Sequence, residues 1–407
     1  MNRDKSIKTA PSLIILLSDG IRGHLSQSRG VAGWISRFTG ADIVEMEVPR
    51  LTGWRRVFFL KGKARLLPSL PPERNALWLD RAGGAELLSE SRSALAGRGL
   101  SGDQALFLSA GSSAAPFTLA LARTLGGRAC TLMTPSVLGT PPFDFAVVPE
   151  HDAPRKAPNV LVTLGAPNGI FPDELERRGW ELAQKYPTRS GKRERWSILI
   201  GGDDANYAIS PRWIRSRIPP LVKAAEDRRA DLYITTSRRT APSAEEALKN
   251  LIGQNPSVRM LLLASKDSFN PVPGMLGLSQ RVFVTEDSVS MISEAVTAGK
   301  EVFLLRTETA KGLRLRLQKF TEGLVDRGVL PSRFLWGKPR FDRLFAALEE
   351  QGFLKGMNCD NVSDCIGTLS LSQNGRDSLN EARRAAEWIV EGWNGTGRTS
   401  YEKGKNG

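Results

Sequence analysis

Short apolar runs of four or five residues alternate along the chain with longer stretches whose apolar positions recur every three or four residues. The first pattern fits a strand and the second a helix. Strands are expected at Leu13–Leu17, Ile43–Glu47, Ala105–Ser109, Ala129–Met133, Phe145–Val148 and Val160–Leu164. After a break they are expected at Ser197–Ile200, Leu232–Thr235, Met260–Ala264, Val282–Thr285 and Val302–Leu305. Most of these runs lack strict alternation, as a strand covered on both faces requires. Between them lie helical stretches. Ala115–Leu125 follows Ser112-Ser113, Pro211–Asp227 opens behind Ser210, Ser243–Ile252 begins with the capping-box spacing SAEE, and Ser288–Ala298 ends at Gly299. Hydroxyl side chains suit helix N-caps, proline suits the first turn, and glycine suits the left-handed position that ends a helix.

Strand–helix alternation of this kind predicts parallel sheets with helices on both faces. It occurs in two blocks, so the expected class is α/β, with two Rossmann-like doubly wound domains. The polar, basic stretch Lys185–Trp196 (KYPTRSGKRERW) reads as the linker between them. It sets the expected divisions at 1–189, 190–355 and a tail of 356–407. In that tail Leu379–Trp393 reads as an amphipathic helix. The last residues are polar and glycine-rich, and disorder is expected there.

A chain of 407 residues with 41% hydrophobic content has enough material for two cores. Charge changes the picture more: 57 Lys and Arg exceed 43 Asp and Glu, giving a formal net charge of +14. That excess selects anionic partners. A membrane surface or a nucleotide substrate fits better than nucleic acid, since the chain has no zinc-finger spacing and no RNP-type aromatic strand. Three cysteines, Cys130, Cys359 and Cys365, make no disulfide framework and suit a reducing compartment. The apolar run near the start is too short for a secretory signal. Nothing in the sequence approaches the ~20 apolar residues of a membrane-spanning helix. The expected location is the cytoplasm, with peripheral attachment to the inner face of the cytoplasmic membrane.

Four stretches carry candidate chemistry. In LSDGIRGH (Leu17–His24) a strand enters a turn, with Gly20 and Gly23 for close backbone approach and Asp19 and His24 as candidates for proton transfer. A helix is expected to follow His24, offering N–H groups to an anion; a capped turn with a hydrogen-bonded histidine is the alternative. In ILIGGDD, Gly201 and Gly202 follow a strand as a phosphate loop does, and Asp203-Asp204 lack the further ligands that would make a metal site. In TTSRRT, Ser237, Arg238 and Arg239 at a strand end suit a pyrophosphate, or form a solvated basic loop. In TEDSVSMISEA, Thr285, Glu286, Asp287 and Ser288 close a strand, and Ser290 and Glu294 share a helix face from which ribose or sugar hydroxyls could be held. Ser288 also has the position of a helix cap.

Two further stretches interleave apolar and basic residues. LTGWRRVFFLKGKARLLPSLPP sets Trp54, Phe58 and Phe59 among Arg55, Arg56, Lys61, Lys63 and Arg65. It reads as a docking segment for an anionic leaflet, or as a buried helix with a snorkelling basic face. AKGLRLRLQKF is more helical, with Lys311 and Arg314 placed either to meet phosphates or to face solvent.

The order LSDGIRGH, ILIGGDD, TTSRRT and VTEDSVSMISEAVTAGKEVFLL resembles the mitochondrial-fission elongated-mitochondria family of plants and bacteria, over roughly residues 10 to 350. That family is similar to GT-B glycosyltransferases such as the lipid-II-forming N-acetylglucosaminyltransferase, which implies that the two domains face a cleft and that the helix Leu379–Trp393 crosses back to the first domain. The resemblance matches His24 to the histidine that ends the first-domain turn there. It matches Ser288, Glu294, Ala298 and Gly299 to the sugar-nucleotide segment of the second domain. It implies transfer of a sugar from a nucleotide-sugar substrate to a lipid or envelope glycolipid at the membrane, with no cofactor and no metal required. Under that reading Asp19 or His24 deprotonates the acceptor and the two arginines neutralise the leaving diphosphate. A non-catalytic interaction protein on the same fold is the alternative, and a nucleotide-sugar epimerase ranks below both.

Overall fold

The computed structural model describes residues 10–191, 193–310, 313–330, 338–357, 366 and 379–393. It divides into two compact units, Met1–Gly169 with Glu381–Gly407, and Ile170–Asn380. Each unit is built on one six-stranded parallel sheet.

In the first unit the strands are β1 (Leu13–Ser18), β2 (Asp42–Glu47), β3 (Ala105–Ala110), β4 (Arg128–Leu132), β5 (Phe145–Pro149) and β6 (Val160–Thr163), in the order β2-β1-β3-β4-β5-β6. Successive side chains of a strand point to opposite faces, so β1 feeds two cores. Leu13, Ile15 and Leu17 join Phe59, Trp78, Leu79 and Phe117 on one face. Ile14 and Leu16 join Val31 and Ile35 of the first helix, Arg22–Thr39, and Ala382, Ile389 and Trp393 from the end of the chain on the other. The helix Glu381–Gly392 therefore belongs to the first unit. Its buried Glu381 accepts from Leu164 N–H (2.6 Å) and from Arg384 (2.7 Å), and burial pushes its carboxyl above the usual range.

The second unit holds β7 (Glu194–Leu199), β8 (Tyr207–Ala208), β9 (Ala230–Thr235), β10 (Val258–Leu262), β11 (Arg281–Thr285), β12 (Glu301–Leu305), β13 (Glu308–Thr309) and β14 (Lys355–Met357). Its large sheet runs β10-β9-β7-β11-β12-β14, and β8 and β13 form a separate antiparallel pair. Trp196 and Ile198 pack against Trp213, Ile214, Ile218 and Leu221 of the helix Pro211–Asp227. Ser210 caps that helix, accepting from Trp213 N–H (3.1 Å), as expected of a serine one residue before a helix-opening proline.

Several expectations need revision. The division falls between Gly169 and Ile170, ahead of the stretch read as a linker. Arg189 explains why that stretch is not one: its backbone N–H and its Nε both donate to the buried carboxylate of Asp231 (2.9 and 2.8 Å). The helix Pro172–Lys185 belongs to the second unit because Gly179 and Gly277 let it lie directly on Val272–Leu278; a Cβ on Gly277 would fall 1.9 Å from the Leu175 carbonyl oxygen. Ser112 does not cap the following helix but accepts from Ser136 N–H (2.9 Å), and Ala114 stands at the cap. The SAEE spacing makes no capping box either, because the helix opens at Pro242 behind Ala241 and Ser243 lies inside its first turn.

Replacing Glu381 by alanine strands the buried Leu164 N–H. The expected loss is about 1–3 kcal/mol of stability, read from chemical unfolding of the full chain.

Candidate functional site

Ligands of open parallel sheets gather beyond the strand carboxyl ends, where the chain's direction of winding reverses. In the first sheet the reversal lies between β1 and β3, since β2 pairs on one side of β1 and β3 on the other. β1 ends at Ser18, and the turn that follows is held by its own side chains: Gly20 N–H donates to Ser18 Oγ (3.1 Å) and Ile21 N–H to Asp19 Oδ1 (3.1 Å). Gly20 has φ +78°, a conformation that L side chains avoid. The helix begins at Arg22, so His24 lies in its first turn rather than ahead of it. Gly23 is helical with open space beside it, and the turn depends on Gly20 alone.

Asp19 Oδ2 lies 2.9 Å from His24 Nδ1. The Asp19 side chain is 5% exposed and that of His24 23%. A carboxylate there fixes the neutral ring with its proton on Nδ1 and leaves the Nε2 lone pair as a base. Directly under the pair is Gly111, the residue after β3, with φ +88°. A Cβ on Gly111 would sit 2.4 Å from His24 Cε1 and 2.5 Å from Nδ1. The sequence reading missed Gly111; a glycine immediately after a buried strand was its only signal.

The second sheet reverses between β7 and β11. Gly201 and Gly202 follow β7, but their N–H groups are already engaged. Gly201 N–H donates to Thr285 Oγ1 (2.7 Å) and Gly202 N–H to Asp287 Oδ2 (2.8 Å). A Cβ on Gly201 would fall 2.0 Å from that carboxylate, and one on Gly202 2.1 Å from the Arg239 backbone. The glycine pair therefore makes room for Asp287 rather than cradling a phosphate. Arg239 completes the arrangement through Asp287 (2.9 Å) and Asp204 (3.7 Å). Burial pushes the Asp287 carboxyl up; Thr285, Gly202 and Arg239 pull it back. Asp203 and Asp204 accept backbone N–H groups of Ile209, Asn206 and Tyr207, as turn-forming carboxylates do. Among the described residues no group of three or more His, Cys, Asp or Glu is placed to hold a metal ion.

The remaining residues of this site divide by their partners. Ser237 is spent on its own turn, accepting from Arg239 N–H (3.1 Å). Arg238 is exposed and has no ion pair among the described residues. Buried Glu286 is locked by Arg306 (2.9 Å) and Thr307 N–H (2.8 Å), so it holds the fold and is not free for a ligand. Ser288 caps the helix Val289–Thr297 weakly, accepting from Met291 N–H at 3.4 Å. Glu294, one helix turn after exposed Ser290, is half-buried, and desolvation pushes its carboxyl up to about 7.

In the first unit, Trp54, Arg55, Arg56, Phe58, Lys61 and Lys63 are exposed, but Phe59 is not. It is drawn into the core, edge-on to Trp78 (6.2 Å), and leaves the expected docking face. Lys311, the side chain of Arg314, Cys359 and Cys365 lie outside the described residues. Cys130 is buried in β4, where burial pushes its thiol up.

With only two histidines in the chain, His24 is easily observed. Nitrogen NMR of the neutral ring should report the Nδ1–H form, shifting toward Nε2–H in Asp19→Asn, while Gly111→Ala should displace the ring in a folded protein. Glu294 gives a stability signature. Its folded value lies above the unfolded one, so the folded state binds more protons between them and loses stability as pH rises toward and through about 7. Glu294→Gln should match the parent near pH 4 and unfold later than it near pH 8, by thermal denaturation.

Comparison with known proteins now has geometry to rest on. A solved structure of UDP-GlcNAc 2-epimerase from Methanocaldococcus jannaschii superposes with a TM-score of 0.50 at 11% identity, over 93% of this chain and 99% of that one. The likeness is one of fold, two parallel-sheet domains of GT-B type. Uncharacterized protein RP120 of Rickettsia prowazekii is 25% identical over 182 residues, 44% of this chain and 49% of that one. Mitochondrial fission protein ELM1 of Arabidopsis thaliana is 32% identical over 99 residues, 24% of this chain and 22% of that one. The chain thus matches about half the length of the first relative and about a fifth of the second. The model of the Mitochondrial fission ELM1 family matches residues 22–334, about three quarters of the sequence, and the chain belongs to that family.

Proposed function

We propose that the protein transfers a sugar from a nucleotide-sugar donor to a hydroxyl of a membrane-associated lipid or envelope glycolipid. The observation that carries this reading is the Asp19–His24 pair, set at the reversal point of the first sheet and kept open by Gly111. His24 Nε2 takes the acceptor proton as the acceptor oxygen attacks the anomeric carbon, and Asp19 holds the ring and stabilises the imidazolium that forms. The bond from that carbon to the donor diphosphate breaks, and the diphosphate leaves with its electrons. Arg238 meets its charge, backed by Arg239, which Asp287 and Asp204 hold in place. Ser288 and Glu294 are left to bind sugar or ribose hydroxyls. The reading invokes no cofactor beyond the donor.

The family membership supports a second reading, a non-catalytic interaction protein in fission. One experiment separates the two. Purified protein is offered nucleotide sugars, with thermal shift reporting binding and release of nucleoside diphosphate reporting turnover. His24→Ala should keep the shift and lose roughly 10²–10⁴-fold in turnover. Arg238→Ala should weaken donor binding by roughly tenfold. No shift with any donor would remove the enzymatic reading, and conversion of the donor alone to a stereoisomer would point to epimerisation.

A further inference from the structure

The basic-aromatic segment of the first unit is two-sided. Phe59, Leu60, Ala64 and Leu67 root it in the core beside Trp78 and Phe117. Its other side presents Trp54 (73% exposed), Val57 (58%), Phe58 (45%) and Leu66 (50%) to solvent. Trp54, Val57 and Phe58 follow helical spacing and share a face. Trp54 and Phe58 meet edge-on at 6.3 Å, and Lys63 lies over the Phe58 ring at 5.5 Å. Single exposed apolar residues are ordinary; four within one short segment are not.

The same segment carries Arg56, Lys61, Lys63 and Arg65, all exposed and without an ion pair among the described residues. Arg55 instead donates to the Arg81 carbonyl (3.2 Å) and belongs to the fold. No Asp or Glu occurs from Val48 to Pro72. The segment leaves the sheet at the carboxyl end of β2, where Val48 N–H donates to Ser18 O (2.9 Å), on the edge that also carries Asp19 and His24.

We infer that this segment docks the protein on an anionic phospholipid surface, with Trp54, Val57, Phe58 and Leu66 entering the headgroup–acyl boundary and Arg56, Lys61, Lys63 and Arg65 meeting lipid phosphates. An apolar tip and unpaired cations on one segment match that surface in both of its properties. A second copy of the chain matches it poorly, because each copy carries +14 and would bring the same cations together. The inference does not depend on sugar transfer, since a scaffold would use the same surface.

The test is co-sedimentation of the full chain with vesicles of phosphatidylglycerol and phosphatidylcholine, and with phosphatidylcholine alone. Binding should require the anionic lipid and weaken with salt. The Lys61→Glu, Lys63→Glu double variant should lose roughly tenfold or more in partitioning. Trp54→Ala with Phe58→Ala should lose binding at unchanged charge, and so should Val57→Ser with Leu66→Ser, each with an unfolding midpoint like the parent's. Failure to bind anionic vesicles, or binding that survives both apolar double variants, would overturn the inference. So would self-association of the parent that these variants abolish, which would assign the surface to a second copy.

Discussion

Two neighbouring parallel strands whose onward connections run to opposite sides of the sheet leave a gap at their carboxyl ends, and this constraint places the Asp19–His24 pair of the first unit and the Gly201–Gly202 turn of the second. Backbone N–H groups and short side chains meet there. The first sheet fills its gap with Asp19, His24 and Gly111, the second with Gly201, Gly202, Thr285 and Asp287. The two solutions differ in what they leave available. In the first, one nitrogen of a partly exposed histidine remains uncommitted. In the second, the Thr285 hydroxyl and the Asp287 carboxylate have each taken one of the two glycine N–H groups.

That capture has an electrostatic logic. A carboxylate with its side chain withdrawn from solvent is costly unless it is paired and hydrogen-bonded. Asp287 has the Gly202 N–H and the Arg239 guanidinium to compensate, and both are present only because the glycines have no side chains. Arg239 is consequently a structural cation first. Neighbouring Arg238, exposed and unpaired among the described residues, keeps its full charge for an anion from outside. Two adjacent arginines thus do different work, a distinction drawn by their partners and not by their identity.

The same distinction explains what was legible in the sequence. The central strands are plain, because a strand buried on both faces carries an unbroken apolar run, as Leu13–Leu17 of β1 and Ala105–Leu108 of β3 do. β14, three residues long, and the two-residue pair β8–β13 are too short to carry a period. The linker reading of Lys185–Trp196 failed because composition registers polarity and not partners, and Arg189 has its partner in buried Asp231. Phe59 was grouped with Trp54 and Phe58 because adjacent aromatics look alike, yet adjacent residues of a helical segment face different ways. The pairing of Asp19 with His24 is legible because both belong to one turn of the sequence. Gly111 is not, because its importance lies in contact with a residue distant in sequence and in a positive φ.

A histidine that only stabilised the first unit would have reason to be buried, with both nitrogens bonded to the protein. His24 is instead 23% exposed, and among the described residues its ring is held by the Nδ1 bond to Asp19. The main chain beneath it follows the opposite rule: Gly111 adopts a φ that costs other residues free energy and leaves a space its own Cβ would have filled. A scaffold gains nothing from clearing that space, whereas a base gains a fixed ring, a defined tautomer and an open nitrogen. The physical economy of this one corner therefore suits the proton transfer proposed for His24, and the segment proposed to dock on lipid leaves the same edge of the sheet.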